Sequence, residues 1–415
     1  MLCAMPRVAL LVGALVAGGA RGARVLARPA SAMTPRASAR MAATNAPAGS
    51  LQALCEVSKS ACDAVEPMLK KFYDKISTNG RTAEACEKKK ADATFFTIAD
   101  GILQHMFVSH LFAGNKFAHI VGEEDSSVIN IATKPYFVDE LEVPEEFEQI
   151  IDETLARVRA LAATISDSAY RDITAFVDPI DGTREFALGQ GDKVTVLLGF
   201  NDRDGRPCAG IMYRPLTAPV TWAAGALSEG YKAGVLDHAA TPNPTGCLIT
   251  DGKVSPFIAK TIEELGYNLV PSLASGNRAM MLLEGKAGYY IRDTGGFALW
   301  DTSGPQACIE AYGGTMAKLP AFLEDGALVT YTHLKSEKNL DFVPGAVMLS
   351  LTNAKVKSEY DRTKDTPARL EQVNAYVCCA GLVAASPDNT AEGTMAKLRS
   401  AMLKVAADGN PPYYT

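Results

Sequence analysis

Asp178-Pro179-Ile180-Asp181-Gly182-Thr183 follows the apolar run Ile173-Thr174-Ala175-Phe176-Val177. The run reads as a buried strand, and the hexapeptide as a tight turn that carries two carboxylates off its end. Two acids at this spacing in a turn can face one point, where a hard divalent cation takes oxygen ligands. Gly182 lets the backbone approach a ligand closely, and amides at a following helix start favour an anion such as phosphate. Metal and phosphate together point to phosphate-ester chemistry.

Further acids lie in three other segments. Gly122-Glu123-Glu124-Asp125 follows the short apolar strand His119-Ile120-Val121, so Glu123 emerges at a strand end. Thr97-Ile98-Ala99-Asp100 places an acid early in a helix, and Trp300-Asp301-Thr302 precedes a helix expected over 306–312. Each has a plain reading by itself. Asp100 fits a solvated first-turn acid, Glu123 and Glu124 a surface turn, and Asp301 a helix N-cap. Taken together, acids from four segments, three of them beside small or hydroxyl residues, fit a multi-metal site assembled across a fold.

The rest of the chain alternates helix and strand patterns. Leu51, Leu54, Ala61, Val65, Met68, Leu69, Phe72 and Ile76 mark an amphipathic helix that stops near Asn79-Gly80. Pro144-Glu145-Glu146 opens another, with Phe147, Ile151, Leu155 and Val158 in its stripe. Strands are expected at 194–198 and 209–213, joined by a turn at Asn201-Asp202-Arg203-Asp204-Gly205. After a loop at 241–246, helices at 255–265, 306–312 and 394–405 alternate with strands at 248–250, 287–291 and 376–380. The class is mixed α/β with helices layered on sheets. The expected division is a leader over 1–48, an N-terminal α+β half over 49–245 with most of the acids, and a C-terminal α/β half over 246–415 carrying Asp301.

The 415 residues, 47% hydrophobic and 21% charged, can bury a sizeable core. A net charge of -6 without a clustered basic patch argues against a nucleic-acid polymer as partner. Nine scattered cysteines with no C-x-x-C pair exclude a zinc ribbon or a thioredoxin motif and read as reduced core thiols. A redox pair among Cys55, Cys62 and Cys86 is left open. Residues 1–55 contain no Asp, Glu or Lys. The apolar stretch Val8–Ala20, then an Arg-, Ala- and Ser-rich stretch to Ala48, reads as a bipartite signal-plus-transit leader for a plastid. A mitochondrial or secretory leader is the alternative. Val8–Ala20 is too short for a firm membrane span, so no stable membrane association of the mature form is expected.

Thr97-x-x-Asp100, Gly122-Glu123-Glu124, Asp178-Pro-Ile-Asp-Gly-Thr183 and Trp300-Asp301 resemble, in order and separation, the motifs of the inositol monophosphatase superfamily. These are lithium-sensitive, magnesium-dependent phosphatases. The resemblance implies a layered α-β-α-β-α sandwich and two to three Mg²⁺ ions. Glu123, Asp178 and the Ile180 carbonyl would hold one ion, and Asp178, Asp181 and Asp301 a second, with a third loosely held near Glu123. Asp100 and Thr183 would activate the attacking water, and the amides of Gly182 and Thr183 would grip the phosphate.

Within the superfamily, Gly182-Thr183-Arg184-Glu185-Phe186 is similar to the Gly-Thr-Lys-Glu-Phe/Tyr of 3'(2'),5'-bisphosphate nucleotidases. So are Gly191-Asp192-Lys193-Val194-Thr195-Val196-Leu197, Ser275-Gly276-Asn277-Arg278 and Leu283-Glu284-Gly285-Lys286-Ala287. The chain departs from that group at Thr250-Asp251-Gly252-Lys253, where a Thr-Arg-Ser-His-like stretch is usual. By position, Thr250, Lys253 and Arg278 would meet a second phosphate of the substrate; alternatively Lys253 is an ordinary exposed lysine. The implied partner is a small bisphosphorylated metabolite, acted on by a monomer or homodimer. An inositol phosphate or sugar bisphosphate is the alternative substrate. A non-catalytic nucleotide-binding homologue would be expected to have lost a ligand or Thr183, and none is lost. A haloacid-dehalogenase-type phosphatase is excluded, because its alignment on Asp181-Gly182-Thr183 puts Pro179 at the nucleophile position.

Overall fold

The computed structural model describes residues 46–79, 97–114, 116–124, 129–165, 168–250, 254–293, 297–333, 377–378 and 381–412. The leader region, Cys86, Lys253 and the polar segment 335–369 lie outside them. Thr44–Thr415 forms one compact unit.

In chain order the helices are α1 (Leu51–Asn79), α2 (97–105, running into a π-turn at Met106–Leu111), α3 (Glu145–Ala162) and α4 (Thr183–Ala187), then α5 (Pro256–Leu265), α6 (Ser275–Leu283), α7 (Trp300–Ala311), α8 (Leu319–Asp325) and α9 (Glu392–Ala407). The strands of the first half are β1 (His119–Gly122), β2 (Ile129–Asn130), β3 (Phe137–Val138), β4 (Leu141–Glu142), β5 (Thr174–Asp181), β6 (Thr195–Asn201), β7 (Pro207–Arg214), β8 (Thr221–Ala226) and β9 (Tyr231–Val235). Those of the second are β10 (Gly246–Thr250), β11 (Asn268–Ser272), β12 (Tyr289–Arg292), β13 (Phe297–Ala298), β14 (Thr315–Lys318), β15 (Val377–Cys378) and β16 (Leu382–Ala385). One six-stranded sheet has the order β1-β5-β6-β7-β8-β9, with only β1 and β5 parallel. A five-stranded sheet has the order β11-β10-β12-β16-β14.

Strand alternation builds the layers. On the six-stranded sheet Val177, Val196, Leu198, Ile211 and Ala224 face the core shared with α1 and α3. Their neighbours Phe176, Leu197, Met212 and Ala223 face the opposite way, into a core shared with α6, α7 and the second sheet. From that second sheet Leu248, Tyr290, Leu382 and Ala384 point into the same middle layer. Cys247, Tyr289, Ile291, Val383 and Ala385 point outward against α5, α8 and α9. The period of two thus sandwiches both sheets, and the α-β-α-β-α layering expected from the resemblance is present.

Two expectations differ. The sequence pattern ends the strand at Val177, whereas β5 continues through Asp181, so the two Asp residues lie on a buried strand and not in a turn. Trp300-Asp301 does not precede a helix that begins at Gln306; α7 starts at Trp300 and carries Pro305 inside it. Close approach to the sheet explains why a Gly- and Pro-containing stretch is helical. A Cβ on Gly199 would lie 2.1 Å from Ser303 Oγ, one on Gly210 2.6 Å from Gly304 O, and one on Gly225 2.3 Å from Ala311 Cβ. Three glycines on adjacent strands form a groove in which α7 lies, and tertiary packing overrides local propensity.

Candidate metal centre and substrate cleft

The Asp pair owes its geometry to a β-bulge. In a regular strand, residues three apart point to opposite faces. Here Asp178 pairs with Leu197 and Asp181 with Thr195, so Pro179 and Ile180 together oppose Val196. The extra residue restores the phase, and both carboxylates leave on the face of Leu197, toward α6 and α7. Pro179 suits the bulge because it has no N–H to leave unpaired.

Three elements converge on this point. Asp301, in the first turn of α7, joins Asp178 and Asp181, with carboxylate oxygens of all three within 4.8 Å of one another. β1 runs parallel to β5, Gly122 opposite Val177, and Glu123 N–H donates to Val177 O at 3.1 Å. Glu123 thus stands at the carboxyl end of β1, next to Asp178 on the parallel strand β5. Asp100, 3% exposed, is not a solvated first-turn acid; its charge acts on Asp178 from α2. One turn on, Gln104 Nε2 donates to Glu124 O at 2.7 Å. A Cβ on Gly122 would lie 1.7 Å from that amide nitrogen, which accounts for the glycine before Glu123.

The electrostatics call for a cation. Asp178 is 1% exposed, and burial, then the charges of Glu123, Asp181, Asp301 and Asp100, hold its carboxyl well above the usual range. Its Oδ1 has no hydrogen-bond partner. Asp181, 7% exposed, is raised by burial and by Asp301. That rise is opposed by Thr195 Oγ1 (2.5 Å) and the N–H groups of Ser275 (3.0 Å) and Gly276 (2.7 Å), all donating to it. Asp301 accepts from Ala298 N–H at 2.8 Å. Carboxylates this close repel by roughly 3–4 kcal/mol per pair at an effective dielectric near 20. An orphaned buried oxygen among hard oxygen donors fits a divalent metal ion.

Beside the acids opens a cleft of about 370 Å³. Asp181 and Asp301 stand at its edge with Gly182, Thr183, Arg184 and Glu185. Gly182 has φ 98°, a conformation that turns the chain from β5 into α4 and favours glycine. Facing it, Ala274 is held at φ 58° before α6, a strained non-glycine position of the kind that collects at functional sites. Arg278 lines the cleft, 8% exposed, its Nη1 donating to Tyr290 Oη at 3.1 Å. Thr250 ends β10 opposite Ser272, and its side chain, like Lys253, lies outside the described residues. The structure thus unites Asp178, Asp181 and Asp301 directly, with Glu123 adjoining through β1. Gly182, Thr183 and Arg278 lie along the cleft, and the backbone of Ile180 lies in the bulge.

Sequence reasoning missed the residues that hold the acids in place. Ser275 and Gly276 belong to a stretch singled out for its motif, but no helix start was read there. Thr195 belongs to another stretch singled out for its motif, without its bond to Asp181 being read there, and Tyr290 carried no signal beyond strand alternation. The cysteines are as expected for a core. Cys55, Cys62, Cys247 and Cys308 are free and buried, and burial pushes the Cys55 thiol up to about 12.

The sequence matches the profile described as the inositol monophosphatase family over residues 50–336. The chain belongs to the inositol monophosphatase family. It is a phosphatase, and its acidic centre is of the divalent-metal kind that the family uses. Among curated relatives of this inositol monophosphatase family chain is the 3'(2'),5'-bisphosphate nucleotidase 1 of Dictyostelium discoideum, 28% identical over 245 residues, which are 53% of this chain and 72% of the relative. The Homo sapiens protein of the same name is 26% identical over 286 residues, 63% of this chain and 84% of that one. Among solved structures, CysQ from Bacteroides thetaiotaomicron, a bacterial member of the family, is 17% identical with a TM-score of 0.43, covering 64% of this chain and 89% of that one. Among the described residues, no helix is long and apolar enough to cross a membrane.

Proposed function

We propose that this phosphatase is a magnesium-dependent 3'(2'),5'-bisphosphate nucleotidase that converts adenosine 3',5'-bisphosphate to AMP. The observation that carries the reading is the union of the Asp178, Asp181 and Asp301 carboxylates beside a cleft that also holds buried Arg278. The names of the relatives and the Gly182–Phe186 motif support the choice of substrate.

In this reading Glu123, Asp178 and the Ile180 carbonyl would hold one Mg²⁺, and Asp178, Asp181 and Asp301 a second, with a third near Glu123. When bound, the ions would acidify the attacking water, template the phosphate and neutralise the leaving alkoxide. The chain supplies the remaining functions. Thr183, at the exposed start of α4, orients the water through its hydroxyl, and Asp100 takes the proton that Thr183 alone is too weak a base to keep. Backbone amides of Gly182 and Thr183 donate to the phosphate oxygens. Arg278 meets the second phosphate.

The test is phosphate release from adenosine 3',5'-bisphosphate, inositol phosphates and fructose bisphosphate, with Mg²⁺ and with added Li⁺. The expected result is preferred release from the nucleotide, abolished by chelator and lowered by Li⁺. Release from inositol phosphates alone would favour the inositol phosphatase reading and overturn this one.

A further inference from the structure

Two marked stretches, Ser275-Gly276-Asn277-Arg278 and Leu283-Glu284-Gly285-Lys286-Ala287, open and close helix α6, and one residue outside both ties them together. Arg214 ends β7, two residues beyond Met212, so alternation turns it toward the layer between the sheets, where α6 lies. Its Nη1 donates to Glu284 Oε1 at 2.6 Å, at the carboxyl end of the helix. Its Nη2 donates to Asn277 Oδ1 at 2.7 Å and to Asn277 O at 3.3 Å, in the first turn. Asn277 in turn donates from Nδ2 to Leu273 O at 3.1 Å, on the loop that leads into α6. One guanidinium thus grips both ends of the helix.

The grip is made in the interior. Arg214 is 4% exposed and Glu284 1%. Glu284 also pairs with Lys286 Nζ at 2.9 Å, and Arg214 Nε has no hydrogen-bond partner. A buried ion pair of this kind gains little net stability, since desolvation offsets the attraction, and an unpaired N–H costs more. What it does supply is position, because a planar guanidinium holds two acceptors at fixed angles. The start of α6 needs position. Ser275 N–H and Gly276 N–H donate to Asp181 at 3.0 and 2.7 Å, and Ser275 Oγ lies 3.2 Å from Asp181 Oδ1 and 3.4 Å from Asp301 Oδ1. The helix has no slack there, as a Cβ on Gly276 would lie 2.4 Å from Thr195 Oγ1.

We propose that Arg214 is a positioning residue for the metal centre. By bridging Glu284 and Asn277 it fixes how far along its axis, and at what rotation, α6 meets Asp181 and Asp301. The inference rests on the metal-centred phosphatase reading above, but not on the identity of the substrate. Arg214 does not line the cleft beside the acids and acts through α6 alone.

Calorimetric titration of Mg²⁺ into the full chain measures ion affinity for wild type, Arg214→Lys, Asn277→Ala and the double variant, and urea unfolding measures stability beside it. Lysine keeps a cation opposite Glu284, but one ammonium does not span to Asn277 as well. Arg214→Lys should weaken Mg²⁺ binding about tenfold, the lower end of what groups that orient metal ligands contribute. Phosphatase activity should shift in parallel, with a deficit at limiting Mg²⁺ that closes as Mg²⁺ is raised. Asn277→Ala should weaken binding to a similar degree, and adding Arg214→Lys to it should cost little more, because the two act in one chain of contacts. A loss of stability at unchanged Mg²⁺ affinity, or effects of the two substitutions that add in full, would overturn the brace. Should Arg214→Lys fail to fold, Asn277→Ala decides by itself, and unchanged affinity there overturns the brace equally. Wild type that takes up no Mg²⁺ would overturn the metal-centred reading itself, whereas wild-type binding that no variant alters leaves that reading standing and removes only the brace.

Discussion

A carboxylate kept among other carboxylates must be held, and Asp181 shows how single residues do it. Its two oxygens accept from Thr195, Ser275 and Gly276, so strand β6 and helix α6 fix its orientation before any ion arrives. Asp301 is fixed from behind by other means. Thr302, next to it on α7, meets His333 Nε2 at 3.1 Å, and the His333 ring packs against Phe176, its backbone N–H donating to Gly205 O at 2.8 Å. Burial pulls the His333 imidazole down from its ordinary 6.5 to about 3. The native state thus refuses a proton that the unfolded chain accepts between these values. Stability from the neutral ring is present above pH 6.5 and is lost as pH falls through that window, at up to ~1.4 kcal/mol per pH unit. Replacing His333 with Gln removes this dependence and leaves a group able to bond Thr302. In urea unfolding the stability advantage of wild type over His333→Gln should shrink by about 2 kcal/mol between pH 7 and pH 5. A difference that does not vary with pH would show that His333 is not a buried neutral ring.

At the scale of elements, the site is set by a bulge in β5 and by the seat of α7. The seat can be probed from the sheet side. A methyl group at Gly210 would press on backbone atoms of Gly304, the carbonyl oxygen at 2.6 Å and Cα at 2.8 Å, and no flexible side chain can yield there. Gly210→Ala should destabilise by roughly 1–3 kcal/mol and raise the Mg²⁺ concentration for half-maximal activity, because Asp301 rides on α7. Denaturation and a Mg²⁺ titration of activity check both, and a variant that loses stability with no change in Mg²⁺ dependence would detach the seat from the site. Asp100, Glu123, Asp181 and Asp301 were legible from the sequence because each sits beside glycine, threonine or tryptophan in a short marked segment, and Asp178 because it stands three residues before Asp181 after an apolar run. The amphipathic stripes of α1 and α3 were legible for the same reason, that local periodicity reports burial. The bulge was not. Two Asp residues at i and i+3 on a strand contradict a period of two unless the partner strand's register is known, and so the segment reads as a turn. The helical start of α7 was also hidden, since glycine and proline in its first turns argue against a helix until the glycine groove in the sheet is seen. The role of α6 in holding Asp181 depends on contacts across 94 and 95 residues of sequence, which no local pattern carries.

Across the whole molecule, the acids tie separate layers together. Asp178 and Asp181 belong to the six-stranded sheet, Glu123 follows its parallel neighbour β1, and Asp301 comes from the helical layer between the sheets. With no cation present, folding brings these carboxylates together against their repulsion, and Asp178 retains an oxygen with no partner. A divalent ion turns that repulsion into attraction, and because the site exists only when the layers are assembled, its binding free energy adds to the stability of the folded state. Mg²⁺ at about 100 times its dissociation constant should contribute ~2.7 kcal/mol, a rise of roughly 3–6 °C in the midpoint of thermal unfolding for a chain of this size. Differential scanning with Mg²⁺, with chelator, and with potassium chloride at matched ionic strength separates ion binding from screening. Asp181→Asn should abolish the Mg²⁺-dependent rise, since an amide at this position presents an N–H₂ to the donors that now surround a carboxylate. If the rise persists in Asp181→Asn, or if potassium produces it equally, the acids are not a metal centre, and the cleft would need another source of positive charge for its phosphate.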